Sequence, residues 1–226
     1  MGAGDALVGG AQRPFVRPHD AVEILLVRHG TSARGDDPGS HDLRDGASDP
    51  PLNDGGRAQA ELLGPRLAAI DASRVFVSSL QRTAQTAEPL LRRTGNTATV
   101  VDDLSEVYLG VLDGEKFELQ RAAGDPVVEE VFRQQRWDVI PEAESAASFS
   151  ARVRRGLEAV ADATPKGAAS IAFVHAAVIA ELLAQITGSR ALAFIGVENA
   201  SISTVIRSGS GHWMLRSFND TAHLST

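Results

Sequence analysis

Three short apolar runs constrain this chain most, because each stops abruptly at basic or hydroxyl residues. Glu23-Ile24-Leu25-Leu26-Val27 stops at Arg28-His29-Gly30-Thr31, and Val75-Phe76-Val77 stops at Ser78-Ser79-Leu80-Gln81-Arg82. Ala169-Ser170-Ile171-Ala172-Phe173-Val174 stops at His175. Segments this short and this rich in Ile, Leu, Val and Phe read as buried strands running into loops. In open α/β sheets, ligands bind just beyond the carboxyl ends of the strands. The strand ends therefore deliver Arg28, His29, Arg82 and His175 to one place. A guanidinium binds phosphate oxygens in bidentate fashion, and an imidazole beside it can attack phosphorus. Taken singly, Arg28-His29-Gly30 reads equally well as an ordinary polar loop start, Arg82 as half of a surface ion pair and His175 as a satisfied core histidine. Their joint arrival at neighbouring strand ends is what points to an anion pocket capable of chemistry.

The rest of the pattern sets the architecture. Strands are predicted over 22–28, 74–78, 97–101 and 169–174, with helices over 54–69, 80–94, 146–163 and 176–187. Two final strands, 201–207 and 211–218, are joined by Ser208-Gly209-Ser210-Gly211 and read as a hairpin. Alternating strands and helices predict an α/β fold, a three-layer α/β/α sandwich with a mostly parallel mixed sheet. Residues 103–145, after the third strand, are too long for a simple connection and read as a lid, with helices near 115–123 and 126–135. Residues 1–20, rich in Gly, Ala and Pro, read as a flexible tail, leaving 21–226 as a single domain. The first 20 residues lack the basic start and apolar core of a signal peptide. Ala6 stands where myristoylation needs Ser or Thr.

Composition narrows the function classes. The chain has 226 residues, 43% of them hydrophobic, and no apolar run long enough to span a bilayer, so a cytoplasmic protein without membrane contact is expected. There is no cysteine, which excludes disulfides, thiolate metal sites and cysteine catalysis. A net charge of -7 disfavours nucleic-acid binding. The loop over 34–50 carries Asp36, Asp37, His41, Asp42, Asp45 and Asp49, which could be imagined as a hard-cation site. Its many Gly, Ser and Pro residues favour a solvated rim instead, and no metal or cofactor is expected. Arg34 and Arg44 there, and Arg121, Arg133 and Arg136 in the lid, are candidates for a second anionic group of a substrate. Phe117, Phe132 and Trp137 read as packing residues of the lid, and Ser78 reads as a cap of the helix that follows it.

In ordered motifs spanning about residues 22 to 224, the chain resembles the histidine phosphatase superfamily, also called the phosphoglycerate mutase-like family. The motifs are Leu26-Val27-Arg28-His29-Gly30, then Pro51-Leu52-Asn53-Asp54-Gly55-Gly56-Arg57-Ala58-Gln59-Ala60, then Ser78-Ser79-Leu80-Gln81-Arg82-Thr83-Ala84-Gln85-Thr86-Ala87. They continue with Leu104-Ser105-Glu106-Val107-Tyr108-Leu109-Gly110 and Gly114, Phe173-Val174-His175, Asn199-Ala200-Ser201-Ile202-Ser203, and the tail from Phe218 to Leu224. The resemblance implies that His29 is phosphorylated during turnover and that Arg28 and Arg82 hold the phosphoryl group. It implies that His175 donates to the phosphoryl oxygens, and that Glu106 acts as acid toward the leaving oxygen and then as base toward water. Thr31 and Ala176, beside the two histidines, are expected at the substrate.

The departures bear on the substrate. Thr31 and Ser32 follow Gly30 where members often carry Gln or Glu and then Thr or Ser. Gly35 stands where the glycolytic mutases have a phosphate-contacting Asn, and the segment after Glu106 lacks their Arg-His-Tyr-Gly continuation. Ala176 replaces the usual Gly, which would tighten the loop if a positive φ were needed there. The implied activity is metal-independent hydrolysis of a small phosphorylated metabolite through a phosphohistidine. A phosphoglycerate mutase and a catalytically silent phospho-ligand-binding regulator are the alternatives. Exposed edge strands leave a homodimer open.

Overall fold

The computed structural model describes residues 15–190 and 192–225, and in it the three apolar runs lie side by side. The strands are β1 (Val22–Arg28), β2 (Leu43–Arg44), β3 (Ala47–Ser48), β4 (Ala72–Val77), β5 (Ala98–Val100), β6 (Ala169–Val174), β7 (Ile202–Arg207) and β8 (Trp213–Asp220). The helices are α1 (Asp54–Ala68), α2 (Gln81–Thr94), α3 (Glu115–Ala122), α4 (Pro126–Gln134), α5 (Ala146–Ala163) and α6 (Ala176–Thr187). The main sheet runs β5-β4-β6-β1-β7-β8, parallel from β5 to β1 and antiparallel through β7 and β8. This is the mixed, mostly parallel sheet expected from the alternating pattern.

Side chains on a strand alternate between faces, and β1 feeds two cores this way. Leu25 and Val27 pack with Leu63 and Leu67 of α1 and with Leu90 of α2. Ile24 and Leu26 pack with Leu157 of α5, Leu182 of α6 and the lid residues Phe117 and Trp137. Each such fully buried side chain contributes about 1.5–3 kcal/mol, and β1 carries no polar residue between Ile24 and Val27. Register then fixes where the strands end. Val27 and Val77 both lie opposite Phe173, and Arg28 lies opposite Val174. Arg28, Ser78 and His175 therefore leave the sheet at one level.

The start of α1 is pressed against the loop after β1. A Cβ on Gly56 would lie 2.0 Å from the Thr31 carbonyl oxygen, and one on Gly30 would lie 2.6 Å from the Gly56 carbonyl oxygen. Both positions need glycine for close approach of backbones. Asn53 caps α1, its side chain accepting from Gly56 N at 2.9 Å.

Four expectations change. The loop over 30–52 holds the β2–β3 hairpin, whose Asp45 and Gly46 both have positive φ, 52° and 87°. Asp-Gly is the strongest short hairpin signal, but strands of two residues are too short to carry an apolar alternation that would announce them. Ala176 needs no positive φ: it opens α6 directly, after His175 at φ −127°. Ser78 does not cap α2, whose N-cap is Leu80 without a side-chain bond. Part of the expected tail, residues 15–20, is docked on the body. Arg17 donates to Glu23 at 2.7 Å and to the Gly167 carbonyl at 2.6 Å, and Arg216 stacks on Phe15 at 3.8 Å. Residues 1–14 of that tail lie outside the described residues.

Candidate active site

At the carboxyl ends of β1, β4 and β6 opens a cavity of about 760 Å³, lined by Arg28, His29, Arg82 and Glu106. His29 is only 6% exposed. Its Nδ1 lies 2.7 Å from the Gly30 carbonyl oxygen. A carbonyl only accepts, so Nδ1 carries the ring proton and Nε2 keeps its lone pair. Arg82 Nε donates to that Nε2 at 3.3 Å, a contact that requires the lone pair to be free. Burial, then Arg82, then Arg28 hold the His29 imidazolium well below its ordinary pKa, so the ring is neutral. The loop that carries it is held from three sides. Gly30 N donates to Thr86 Oγ1 at 3.0 Å, Asn199 Nδ2 donates to the His29 carbonyl at 2.9 Å, and Thr31 N donates to Gln59 Oε1 at 2.9 Å.

Arg82 is held by Asp49, from the loop whose Gly, Ser and Pro content predicts a solvated rim. Asp49 is 6% exposed. Its Oδ1 accepts from Gln81 N at 2.9 Å and lies 3.6 Å from Arg82 Nη1. One carboxylate thus satisfies the first turn of α2 and orients the guanidinium. The signal for it was only its place just before Pro50-Pro51-Leu52, which gives no hint of burial. Arg28 donates through Nη1 to the Val197 carbonyl, while its Nε is buried without a partner among the described residues. His175 Nδ1 is buried in the same condition. Leaving a buried donor or acceptor unpaired costs about 1–3 kcal/mol, and an anion's oxygens would satisfy Arg28 Nε.

Glu106 faces the same cavity. Its Oε1 accepts from Val107 N at 3.0 Å and its Oε2 from Ala177 N, in the first turn of α6, at 3.3 Å. Burial raises its pKa above the ordinary carboxylate value, outweighing the opposing pull of Arg82, these backbone donors and Arg28. A buried carboxyl within reach of two guanidiniums can hold a proton or release one as the local charge changes.

The structure thus brings Arg28, His29, Arg82 and Glu106 onto one wall. His175, wholly buried, packs its ring 5.1 Å from that of His29, tilted by 58°. Ala176 lines the cavity, and Thr31 does not: its hydroxyl lies 3.1 Å from Gln59 Oε1, and Ser32 lines the wall instead. Of the five candidate rim arginines only Arg34 and Arg121 line the cavity. Arg121 is tied to Glu118 at 2.7 Å, whereas Arg34 has no ion pair among the described residues. Phe117 and Trp137 pack edge to face at 5.6 Å and, with Phe132, also form cavity wall. No cluster of three or more His, Asp or Glu side chains able to hold a metal ion occurs among the described residues.

Comparison with known proteins identifies the family and the fold. The family model of the histidine phosphatase superfamily (branch 1) matches residues 24–221. A "Probable phosphoglycerate mutase GpmB" of Yersinia enterocolitica is 28% identical over 209 residues, 90% of this chain and 95% of that protein. The crystal structure of phosphoglycerate mutase from Bacillus anthracis superposes with a TM-score of 0.74 at 22% identity, covering 92% of this chain and 96% of that one. Mycobacterial glucosyl-3-phosphoglycerate phosphatase, solved as a complex with VO3, superposes with a TM-score of 0.70 at 25% identity, covering 88% and 99%.

Proposed function

Because the chain belongs to the histidine phosphatase superfamily (branch 1), we propose that it is a metal-independent phosphomonoesterase that works through a phosphohistidine on His29. The observation that carries this reading is the unprotonated Nε2 of His29, fixed by the Nδ1 contact to Gly30 and accepting from Arg82 Nε at 3.3 Å. Nothing in such an arrangement is needed to bind a structural anion alone: the guanidiniums would serve that purpose without a neutral nitrogen between them.

Phosphoryl transfer needs mainly positioning and charge stabilisation. Arg28 and Arg82 neutralise the equatorial oxygens. The His29 Nε2 lone pair forms a bond to phosphorus while the ester P–O bond breaks, and Glu106 gives its proton to the leaving oxygen. The ionised Glu106 then takes a proton from water as the water oxygen attacks phosphorus. The P–N bond breaks, its electron pair returns to Nε2, and Glu106 is protonated again. His29 Nδ1–H stays on the Gly30 carbonyl throughout.

Return of the phosphoryl group to substrate is the second reading, and the name of the Yersinia relative favours it. Gly35, whose N donates to Glu115 Oε2 at 2.7 Å, supplies no side chain to a substrate phosphate, and Val107-Tyr108-Leu109 follows Glu106 without the mutase continuation. These features favour water as the acceptor. The substrate is a small phosphorylated metabolite. Lack of cysteine fits a reducing compartment such as the cytoplasm, and no helix among the described residues is long and apolar enough to cross a membrane.

The test is a panel of phosphomonoesters, including 3-phosphoglycerate, assayed in EDTA for free phosphate and for isomerised phosphoglycerate. Free phosphate without isomerisation is expected. Isomerisation as the main outcome establishes the mutase reading, and neither product across the panel counts against both.

A further inference from the structure

Ser78 is buried beside the site, and nothing in the mechanism above uses it. It follows β4 directly, and its N donates to the Phe173 carbonyl at 3.3 Å, which holds it level with His175 at the end of β6. Ser78 is 2% exposed and His175 is 0% exposed. Ser78 Oγ lies 2.7 Å from His175 Nε2, so the two form a short bond sealed from water.

The direction of that bond decides which ring nitrogen of His175 carries a proton. Leu80 N donates to Ser78 Oγ at 3.2 Å, so one lone pair of the hydroxyl is taken. Thr83 Oγ1 sits 2.8 Å from the Leu80 carbonyl and 3.2 Å from the Ser78 carbonyl, both of which only accept, so its single proton is committed to them. The Ser78 proton can go to Thr83 Oγ1 at 3.2 Å or to His175 Nε2 at 2.7 Å. In the first arrangement Nε2–H donates to Ser78, and Nδ1, on a ring packed 5.1 Å from that of His29, is a bare lone pair. In the second, Nε2 accepts from Ser78, and Nδ1–H is a donor. Only the second lets a neutral ring offer a proton to a phosphoryl oxygen, and Nδ1 is the nitrogen left without a protein partner.

We propose that Ser78 is a positioning residue that holds His175 as the Nδ1–H tautomer, so that an uncharged His175 donates its Nδ1 proton to the phosphoryl group. This rests on the phosphatase reading of the site. It is supported by the surroundings of His175, where burial, Arg82, His29 and Arg28 all disfavour the doubly protonated ring. An imidazole that stays neutral must have its single proton on the correct nitrogen, and of the two acceptors open to the Ser78 proton His175 Nε2 is the nearer, at 2.7 Å against 3.2 Å.

The test combines tautomer and rate. Nitrogen-15 NMR of histidine-labelled protein, with the His175 signals identified by their loss in His175→Gln, is expected to show a protonated Nδ1 and an unprotonated Nε2. An Nε2–H signal in the wild type overturns the proposal without needing any Ser78 variant to fold. With 4-nitrophenyl phosphate, Ser78→Ala is expected to lower kcat/KM about 10-fold, the scale of one hydrogen bond, and Ser78→Thr to restore most of it. The Ala variant should also lose the uniform Nδ1–H signature. An unaltered tautomer and rate in folded Ser78→Ala overturns the proposal. A wild type that shows the Nδ1–H form but releases no phosphate from any ester contradicts the phosphatase reading instead.

Discussion

The two sides of the cavity treat their arginines in opposite ways. At the strand ends, the Arg82 side chain is buried and so is that of its partner Asp49, from a loop 33 residues upstream in the chain. In the lid, Arg121 is 55% exposed and pairs with Glu118, three residues away on its own helix, as Arg133 does with Glu130. A buried guanidinium held by a distant carboxylate and aimed at an imidazole must be kept in place by the fold. Exposed pairs between close neighbours need no tertiary structure and contribute little. The contrast separates chemistry from selectivity: Arg82 is buried and braced beside the reacting groups, while the exposed arginines of α3 and α4 can be altered without touching the reacting atoms.

Substitutions should reproduce this asymmetry. His29→Ala removes the nucleophile and is expected to reduce phosphate release at least about 10⁴-fold, by comparison with other lost nucleophiles, with the fold intact by circular dichroism. Glu106→Gln keeps the shape and removes the proton. Its kcat should fall about 10²–10⁴-fold, with a smaller loss for esters whose leaving group is a weak base such as 4-nitrophenolate. Asp49→Asn loosens Arg82 and is expected to cost about 10-fold in kcat/KM in the same assay. At the other end of the scale, Arg121→Ala should leave Tm within about 2 °C and kcat for 4-nitrophenyl phosphate within about 2-fold. A lid variant as damaging as Asp49→Asn would erase the distinction between the halves.

Protonation sharpens the same comparison. The mechanism needs neutral His29 and protonated Glu106. The His29 pKa is depressed, so kcat/KM should already be past its acid limb below the ordinary histidine value of about 6.5. The Glu106 pKa is raised, so the alkaline fall should come above the ordinary carboxylate value of about 4.3. Arg28 disfavours protons on both groups. In Arg28→Gln each group holds its proton to a higher pH, so both limbs of the profile should move upward. Limbs that move in opposite directions would contradict the assignment.

Legibility followed the same divide. Apolar runs that end at Arg28, Ser78 and His175 are visible in the sequence because a buried strand must be continuous, and parallel neighbours put those ends level. Helix limits were readable where caps and patterns agree, as at Asn53 and at Gly95, whose φ of 71° ends α2. The roles of Asp49 and Ser78 were not readable. Each depends on which strand end or helix start lies beside it, a tertiary fact that local pattern does not carry. The β2–β3 hairpin is illegible for a different reason, since its two-residue strands are too short for a pattern and only Asp45-Gly46 marks it. The family resemblance placed Glu106 by its spacing to Gly110 and Gly114. The structure adds the physical reason for its position, the hydrogen bonds from Val107 N and Ala177 N.

The most direct test of the account is to trap the intermediate. Wild-type protein mixed with 4-nitrophenyl phosphate in EDTA would be quenched in base, where phosphohistidine survives, and its peptides weighed by mass spectrometry. The account predicts one phosphoryl group on the peptide containing His29, lost on acid treatment and absent from His29→Ala along with phosphate release. Turnover without phosphoryl label on that peptide, or release that persists in His29→Ala, would contradict it.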